Sequence, residues 1–353
     1  MTLRRQSLRG SAGGSLRPVQ NRIGVMEERR FRTLGVLDKM RHFRLPPVPY
    51  LQVVVCRLIL GADFKYPKRT HITLEGLENL ESDEPMILAM NHTDRFNYMP
   101  FMWELDQRGY PPVAPWVKGK YYQNRWLSEF LCWASCIPVP SRGFLLTLDW
   151  LARTGRQPDK TEYRQLRLLG DGDWSNEDQL EPSVREYLSA APGGSPEAFF
   201  EEFQKHFEGL TGEVVRINRE AMDMGYRPLI FPQGTRSRPL TRGFSGIVQM
   251  ALHMKVRIVP VGVSGSDDCY PGDNPFSKGG RVHYSIGKPF DPNADPKAPS
   301  DFVPLTIKAS RDHGETFERL TDDLMGRINE LLPPEYQFAG EQTVSDQGAE
   351  RFI

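Results

Sequence analysis

The sequence predicts an α/β fold, a layered sandwich of a mostly parallel central sheet flanked by helices, and three observations carry that prediction. Short continuous apolar runs recur at 86–90, 228–231 and 257–263, the pattern of strands buried on both faces. Segments with helical spacing lie between and after them, as at 213–224 and 315–332. The run at 228–231 ends in Pro232 and Gly234, so the chain turns there and exposes Thr235, Arg236, Ser237 and Arg238 at a strand end.

In chain order, residues 23–46 read as helical and stop at Pro46-Pro47, and 72–80 reads as a strand running into a turn. The buried strand 86–90 delivers His92 to the start of a helix over about 94–107, with Asp94 as its N-cap and Asn97 at its third position. A short strand over 113–118 and a helix around 126–133 follow, the latter carrying Cys132 in an apolar setting that reads as core. The run 137–142 is a strand ending in Arg142. Residues 153–205 form an inserted element, polar and punctuated by Gly170, Gly172, Pro192, Gly193 and Gly194. It reads as one or two short helices with flexible joints, a lid or an inert surface excursion. Helix, strand, helix and strand then alternate to the final amphipathic helix, which ends at Pro333-Pro334.

At 353 residues the chain has room for one large domain or two. Its 45 basic and 45 acidic residues cancel, so no global field draws it to nucleic acid. The balance is uneven along the chain: residues 1–46 hold eleven Lys/Arg against three Asp/Glu, a net charge of +8. The predicted organisation is a basic, disordered tail over 1–22, an amphipathic membrane-docking segment over 23–66, a domain over 67–335 and a C-terminal tail over 336–353. A basic leader before an apolar segment suits an anionic membrane surface, contacted through residues 1–62. Within it, 48–60 is apolar but interrupted by Arg57. It reads as a helix lying on one leaflet with Arg57 snorkelling, or else as an element of the core. No segment has the roughly 18–20 apolar residues of a membrane span, and residues 1–20 lack the apolar stretch of a signal peptide. Four cysteines without disulfide or zinc spacing fit a reducing compartment. The expected location is the cytoplasmic face of a membrane, held peripherally.

Two segments bear the chemistry. Arg236 and Arg238 beside exposed backbone N–H groups suit a phosphate, and His92 is a histidine directly after a buried strand. A base at one strand end and an anion clamp at another suggest acyl or phosphoryl transfer to a phosphorylated alcohol. The pair His92-Thr93-Asp94-Arg95-Phe96-Asn97 and Phe231-Pro232-Gln233-Gly234-Thr235-Arg236-Ser237 resembles the signature of the glycerolipid acyltransferase family, whose best-known member is 1-acylglycerol-3-phosphate acyltransferase. In order, 137–142 and 257–263 resemble its two remaining motifs, so the resemblance spans about 70–335.

That resemblance implies a fatty acyl transfer from acyl-coenzyme A, or an acyl carrier protein, to a hydroxyl of a lysophospholipid such as 1-acylglycerol 3-phosphate. His92 would be the general base, Arg236 the ligand of the acceptor phosphate, and the reaction would need no metal and no other cofactor. Gly234, Thr235, Arg238, Arg142 and Lys118 are further candidates for the substrate's phosphates. The sequence departs from the family at two acids: Asn97 stands where an Asp orients the histidine, and Gln233 where the family has Glu. Asn97 can still accept the imidazole N–H but brings no charge, and Asp94 is a candidate to compensate. The double amide leaves two other functions open, a lipid-binding protein without catalysis and an acyltransferase for a different, glycolipid acceptor.

Overall fold

The computed structural model describes residues 35–81, 84–175, 177–190 and 194–339. The tail expected over 1–22, the first part of the 23–66 segment and residues 340–353 lie outside them.

The strands are β1 (Thr70–Glu75), β2 (Met86–Met90), β3 (Val113–Lys118), β4 (Ile137–Val139), β5 (Arg227–Ile230), β6 (Arg257–Ser264) and β7 (Gly280–Ile286). They form one sheet in the order β1-β7-β6-β2-β5-β3-β4. β4, β3, β5, β2 and β6 run parallel; β7 is antiparallel to β6, and β1 is parallel to β7.

Every residue of β2 and of β5 is buried, which explains their unbroken apolar runs. Along β2 the side chains alternate: Ile87 and Ala89 enter one hydrophobic core, and Met86, Leu88 and Met90 the other. The chain leaves β2 to build β3 and β4, returns to insert β5 between β2 and β3, and then crosses to β6 on the far side of β2. Connections therefore depart in opposite directions around β2 and β5, and a crevice opens outside their carboxyl ends.

The helices are α1 (Val36–His42), α2 (Tyr50–Val54, continued by a π-helical turn Val55–Leu60), α3 (Met99–Gln107), α4 (Arg125–Trp133), α5 (Arg142–Thr154), α6 (Lys160–Gly170), α7 (Pro182–Ser189), α8 (Pro196–Asp223), α9 (Gly246–Met254) and α10 (Ile307–Glu330), apart from shorter turns. Among the described residues no helix is long and apolar enough to cross a membrane.

The structure corrects four expectations. Residues 153–205 are neither a lid nor a surface excursion: Leu166, Leu169, Val184, Tyr187, Phe199 and Phe203 are buried in the same core as β2. Their polar sequence reflects one wet face per helix, and the buried stripe closes over Trp150 of α5, whose ring packs on Tyr187. Residues 35–46 are likewise part of the fold, with Val36, Met40 and Leu45 buried and Arg216 of α8 donating to the carbonyls of Met40 and Phe43. Arg57 does not snorkel; its guanidinium holds Asp106 of α3 through two hydrogen bonds of 3.0 and 3.3 Å. Finally, the C-terminal tail begins later than residue 336, because Tyr336 is buried and its carbonyl accepts from Leu240 N–H.

One turn shows how tightly the sheet edge is fixed. Gly76 closes β1 with φ +80°, and a Cβ there would collide with the Ile286 carbonyl at the end of β7. Asn79 donates to that same carbonyl at 2.9 Å. Gly76→Ala therefore meets both a strained φ and a backbone clash, and should lower the free energy of unfolding by more than about 1 kcal/mol. Urea denaturation of the two proteins side by side measures this; an unchanged midpoint would mean the turn relaxes freely.

Candidate active site

β2 ends at Met90, and Asn91 ties its end to β6. The Asn91 side chain donates to the Val263 carbonyl at 2.9 Å and accepts from the Val263 N–H at 2.7 Å, so both ends of the amide are used. The next residue, His92, is thereby set at the mouth of the crevice. Its main chain is gripped by the turn after β5: Gln233 Oε1 accepts from His92 N–H, and Ser237 N–H donates to the His92 carbonyl, each at 2.8 Å. Gln233 is buried, and its Nε2 is committed to Thr241 Oγ1 at 3.0 Å. Gly234, at φ +65°, lets the turn reverse, and Phe244 N–H closes it on the Pro232 carbonyl at 2.8 Å.

The imidazole stacks on Phe231, with ring centroids 4.2 Å apart and planes 22° from parallel. Burial in this packing is the main reason its pKa falls from 6.5 to about 4, and the charges of Arg236 and Lys118 push it down further. Asn97 pulls the other way by hydrogen bonding to the ring. The contact is incomplete: His92 Nδ1 and Asn97 Oδ1 are both buried, and neither has a partner within normal hydrogen-bond geometry. The ring still keeps a part-exposed edge, so it is desolvated by its neighbours without being sealed away.

The orientation of Asn97 follows from its other end. Its Nδ2 donates to the Asn91 carbonyl at 2.8 Å, and since a carbonyl can only accept, Oδ1 is left facing His92. The Tyr284 hydroxyl of β7 donates to the Asn97 carbonyl at 2.6 Å, so the whole residue is locked. With Nδ1–H directed to Asn97, the neutral ring presents Nε2 as its basic atom.

Asp94 is not part of this arrangement. Its Oδ1 accepts from Phe96 N–H at 2.8 Å, and Thr93 Oγ1 donates to its Oδ2 at 2.9 Å. This is an Asx turn, a local hydrogen bond that competes with helix, and it delays α3 to Met99, where Pro100 fits the first turn. Asp94 is therefore neither an N-cap nor a second partner for His92, and burial raises its pKa.

The cations separate in the same way. Arg236 is exposed and has no acidic partner among the described residues, and its charge is felt by His92. Lys118, at the carboxyl end of β3, is also exposed and also felt by His92. Arg238 is committed elsewhere: it pairs with Asp267 at 3.1 Å and Asp268 at 2.9 Å, and lies 5.1 Å above the ring of Tyr336. Arg142 opens α5 three strands away from β2, and its guanidinium pairs with Asp171 at 2.6 Å. Thr235 is half-exposed in the turn beside Arg236.

The sequence reading passed over Phe231 as a ring platform, Asn91 as the tie to β6 and Tyr284 as the lock on Asn97. Asn91 alone carried a signal, being a polar residue between a fully buried strand and the histidine. Among the described residues no cluster of His, Cys, Asp and Glu is placed to hold a metal.

Comparison with known proteins adds an independent observation. Residues 71–171 match the sequence model of the family described as Acyltransferase, a span that includes His92, Asn97, Lys118 and Arg142 and ends before the turn at 231–238. Among solved structures, the crystal structure of the 1-acyl-sn-glycerophosphate (LPA) acyltransferase PlsC from Thermotoga maritima is similar with 14% identity and a TM-score of 0.39, over 90% of this chain and 100% of that one. No curated protein matches.

The amide at 97 is specified by its surroundings. In Asn97→Asp, a carboxylate oxygen would replace the Nδ2 that now lies 2.8 Å from the Asn91 carbonyl. The buried oxygens repel, so the substituted side chain favours its protonated form and its pKa rises above the unfolded value. The variant's stability should therefore fall as pH rises through that raised pKa, with a loss of about 1–3 kcal/mol at pH 8. Urea unfolding of both proteins at pH 5 and pH 8 measures it; a variant as stable as the parent at pH 8 would show that the amide donor is dispensable.

Proposed function

We propose that this chain, whose residues 71–171 match the family described as Acyltransferase, transfers a fatty acyl group from acyl-coenzyme A or an acyl carrier protein to the hydroxyl of a lysophospholipid, with 1-acylglycerol 3-phosphate the preferred acceptor, at the cytoplasmic face of a membrane. The observation that carries this reading is a neutral, packed imidazole flanked by two cations at the crossing of β2 and β5.

The chemistry follows from that geometry. His92 Nε2 takes the proton of the acceptor hydroxyl as its oxygen attacks the thioester carbonyl. The carbonyl π-electrons move to oxygen, the tetrahedral intermediate collapses, and the coenzyme A thiolate leaves and takes the proton back from the imidazolium. Asn97 Oδ1 is the acceptor that Nδ1–H takes up as the imidazolium forms, which keeps the ring from turning over between the two proton transfers. Arg236 grips the acceptor's phosphate bidentately, and Lys118 adds a second charge at the same end of the sheet.

Phosphate binding also acts on the base. Arg236 and Lys118 both lower the imidazole's pKa in the empty site. A bound dianion neutralises that field, so the acceptor raises the basicity of the group that will deprotonate it. An acceptor without phosphate leaves the base weak. This favours a phosphorylated acceptor over a neutral glycolipid.

Thiol release from acyl-coenzyme A, measured with lysophosphatidate present and absent, tests the reading. Release should require the acceptor and fall by about 10²–10⁴-fold in His92→Ala. Arg236→Ala should lose about 10–100-fold in kcat/KM for the phosphorylated acceptor, the worth of a charge-assisted contact. If folded protein releases no thiol with any acceptor yet binds the lipid, the non-catalytic lipid-binding function stands instead.

The pH dependence has a definite sign. Because the folded pKa of His92 lies near 4, below the ordinary 6.5, the base is already neutral across the physiological range. The acid limb of kcat/KM for the free enzyme should lie near 4 to 5, well below 6.5. Stability contributed by His92 is fully present above pH 6.5 and is lost as pH falls toward 4, because the unfolded chain takes up its proton first. A kcat/KM profile that turns down at 6.5 would show an imidazole in water-like surroundings.

A further inference from the structure

α4 is amphipathic, yet no residue of it is buried. Its apolar stripe, Trp126, Phe130 and Trp133, faces outward, with Trp126 78% exposed. Cys132, expected in the core, is only partly buried here. The helix's partly buried face is made by Ser128, Leu131 and Cys132, whose thiol donates to the Arg44 carbonyl at 3.1 Å. α2 packs beside α4, and it too turns large side chains outward: Tyr50, Val54 and, in the π-helical turn, Leu58 at 69% exposure.

Charge decides what covers this surface. Residues 35–69 hold seven Lys/Arg against two Asp, net +5 in a chain of net zero. Lys65, Lys68 and Arg69 are exposed immediately after the turn that carries Leu58, and Arg41 and Arg44 are exposed before α2. Tryptophan and tyrosine beside an aliphatic ridge with a cationic rim match the interface of an anionic bilayer, where aromatic rings sit at headgroup depth and basic residues meet lipid phosphates. A second copy of this chain would bring the same positive rim against itself.

We infer that α2 and α4 together form a docking face for an anionic lipid bilayer, with Trp126, Phe130 and Trp133 as interfacial anchors supplied from within the sheet's connections as well as from the chain's basic leader. α4 follows β3 by a short turn, so the face adjoins the carboxyl edge of the sheet on which Lys118 lies. The inference does not depend on the chemistry at His92, and its test involves no acyl transfer.

The experiment is sedimentation of the full chain with vesicles of phosphatidylcholine, with and without phosphatidylglycerol, for the parent and for Trp126→Ser/Phe130→Ser/Trp133→Ser. None of the three side chains is buried, so circular dichroism should show the variant folded; Tyr50→Ser/Leu58→Ser is a second variant at an independent site. The parent should bind phosphatidylglycerol vesicles, and the triple variant should lose at least about 10-fold in partitioning, the worth of withdrawing large apolar side chains from the interface. Brominated lipid should quench the parent's tryptophan emission more than the variant's. Equal partitioning of parent and both variants overturns the inference. So does a parent that ignores vesicles but dimerises in sedimentation equilibrium and becomes monomeric in the triple variant, because the stripe would then join two copies.

Discussion

The site depends on a pair of main-chain hydrogen bonds. His92 follows the most buried strand of the sheet, and its N–H and carbonyl are both held by the turn that follows the neighbouring strand. The catalytic candidate and the phosphate candidate therefore belong to one rigid piece of backbone. Arg236 lies between the two residues that grip His92, Gln233 and Ser237, so a shift of that turn also shifts the imidazole. Phe231 continues the same logic, since its ring is the surface on which the imidazole lies. Placing base and clamp on adjacent parallel strands gives a precision that a loop-borne site would lack.

A neutral second residue changes the character of the base without removing it. An aspartate beside a histidine both orients it and pays part of the cost of its positive charge; Asn97 does only the first. The surroundings are adapted to that choice, with Nδ2 used on Asn91, the Asn97 carbonyl held by Tyr284, and Gln233 donating to Thr241 while accepting from His92. Gln233 uses a donor and an acceptor at once, and Asn97 spends its donor on Asn91 where a carboxylate would have none to offer. The two departures from the family signature are thus integrated parts of a hydrogen-bonded network, tied from β7 through β2 to β6.

The sheet was legible in the sequence because its central strands are apolar on both faces; β2 and β3 fall where their runs begin and end. The helix after His92 was read five residues too early, because composition shows Asp94 as a good cap and does not show that Phe96 N–H has claimed it. The segment 153–205 looked peripheral because its buried residues are few per helix and widely spaced, though they close the largest core. Arg236 and Arg238 are equivalent by spacing alone. What separates them is Asp267, Asp268 and Tyr336, which reach Arg238 from distant parts of the chain. The helix at α4 was visible, but its apolar residues do not say whether they face the core or the outside; only the packing of α2 and α4 decides that.

The two cations beside the imidazole have a consequence for water. Any enzyme that activates a thioester risks spending it on hydrolysis whenever the true acceptor is absent. Here the imidazole of His92 is held at low proton affinity, through burial and through the charges of Arg236 and Lys118. In the proposed reaction a water molecule entering alone would bring no phosphate to cancel that field, and would meet a poor base. Under the proposed acyl transfer, the two residues suited to the acceptor's phosphate would also guard the donor, conserving the activated acyl chain until the alcohol arrives.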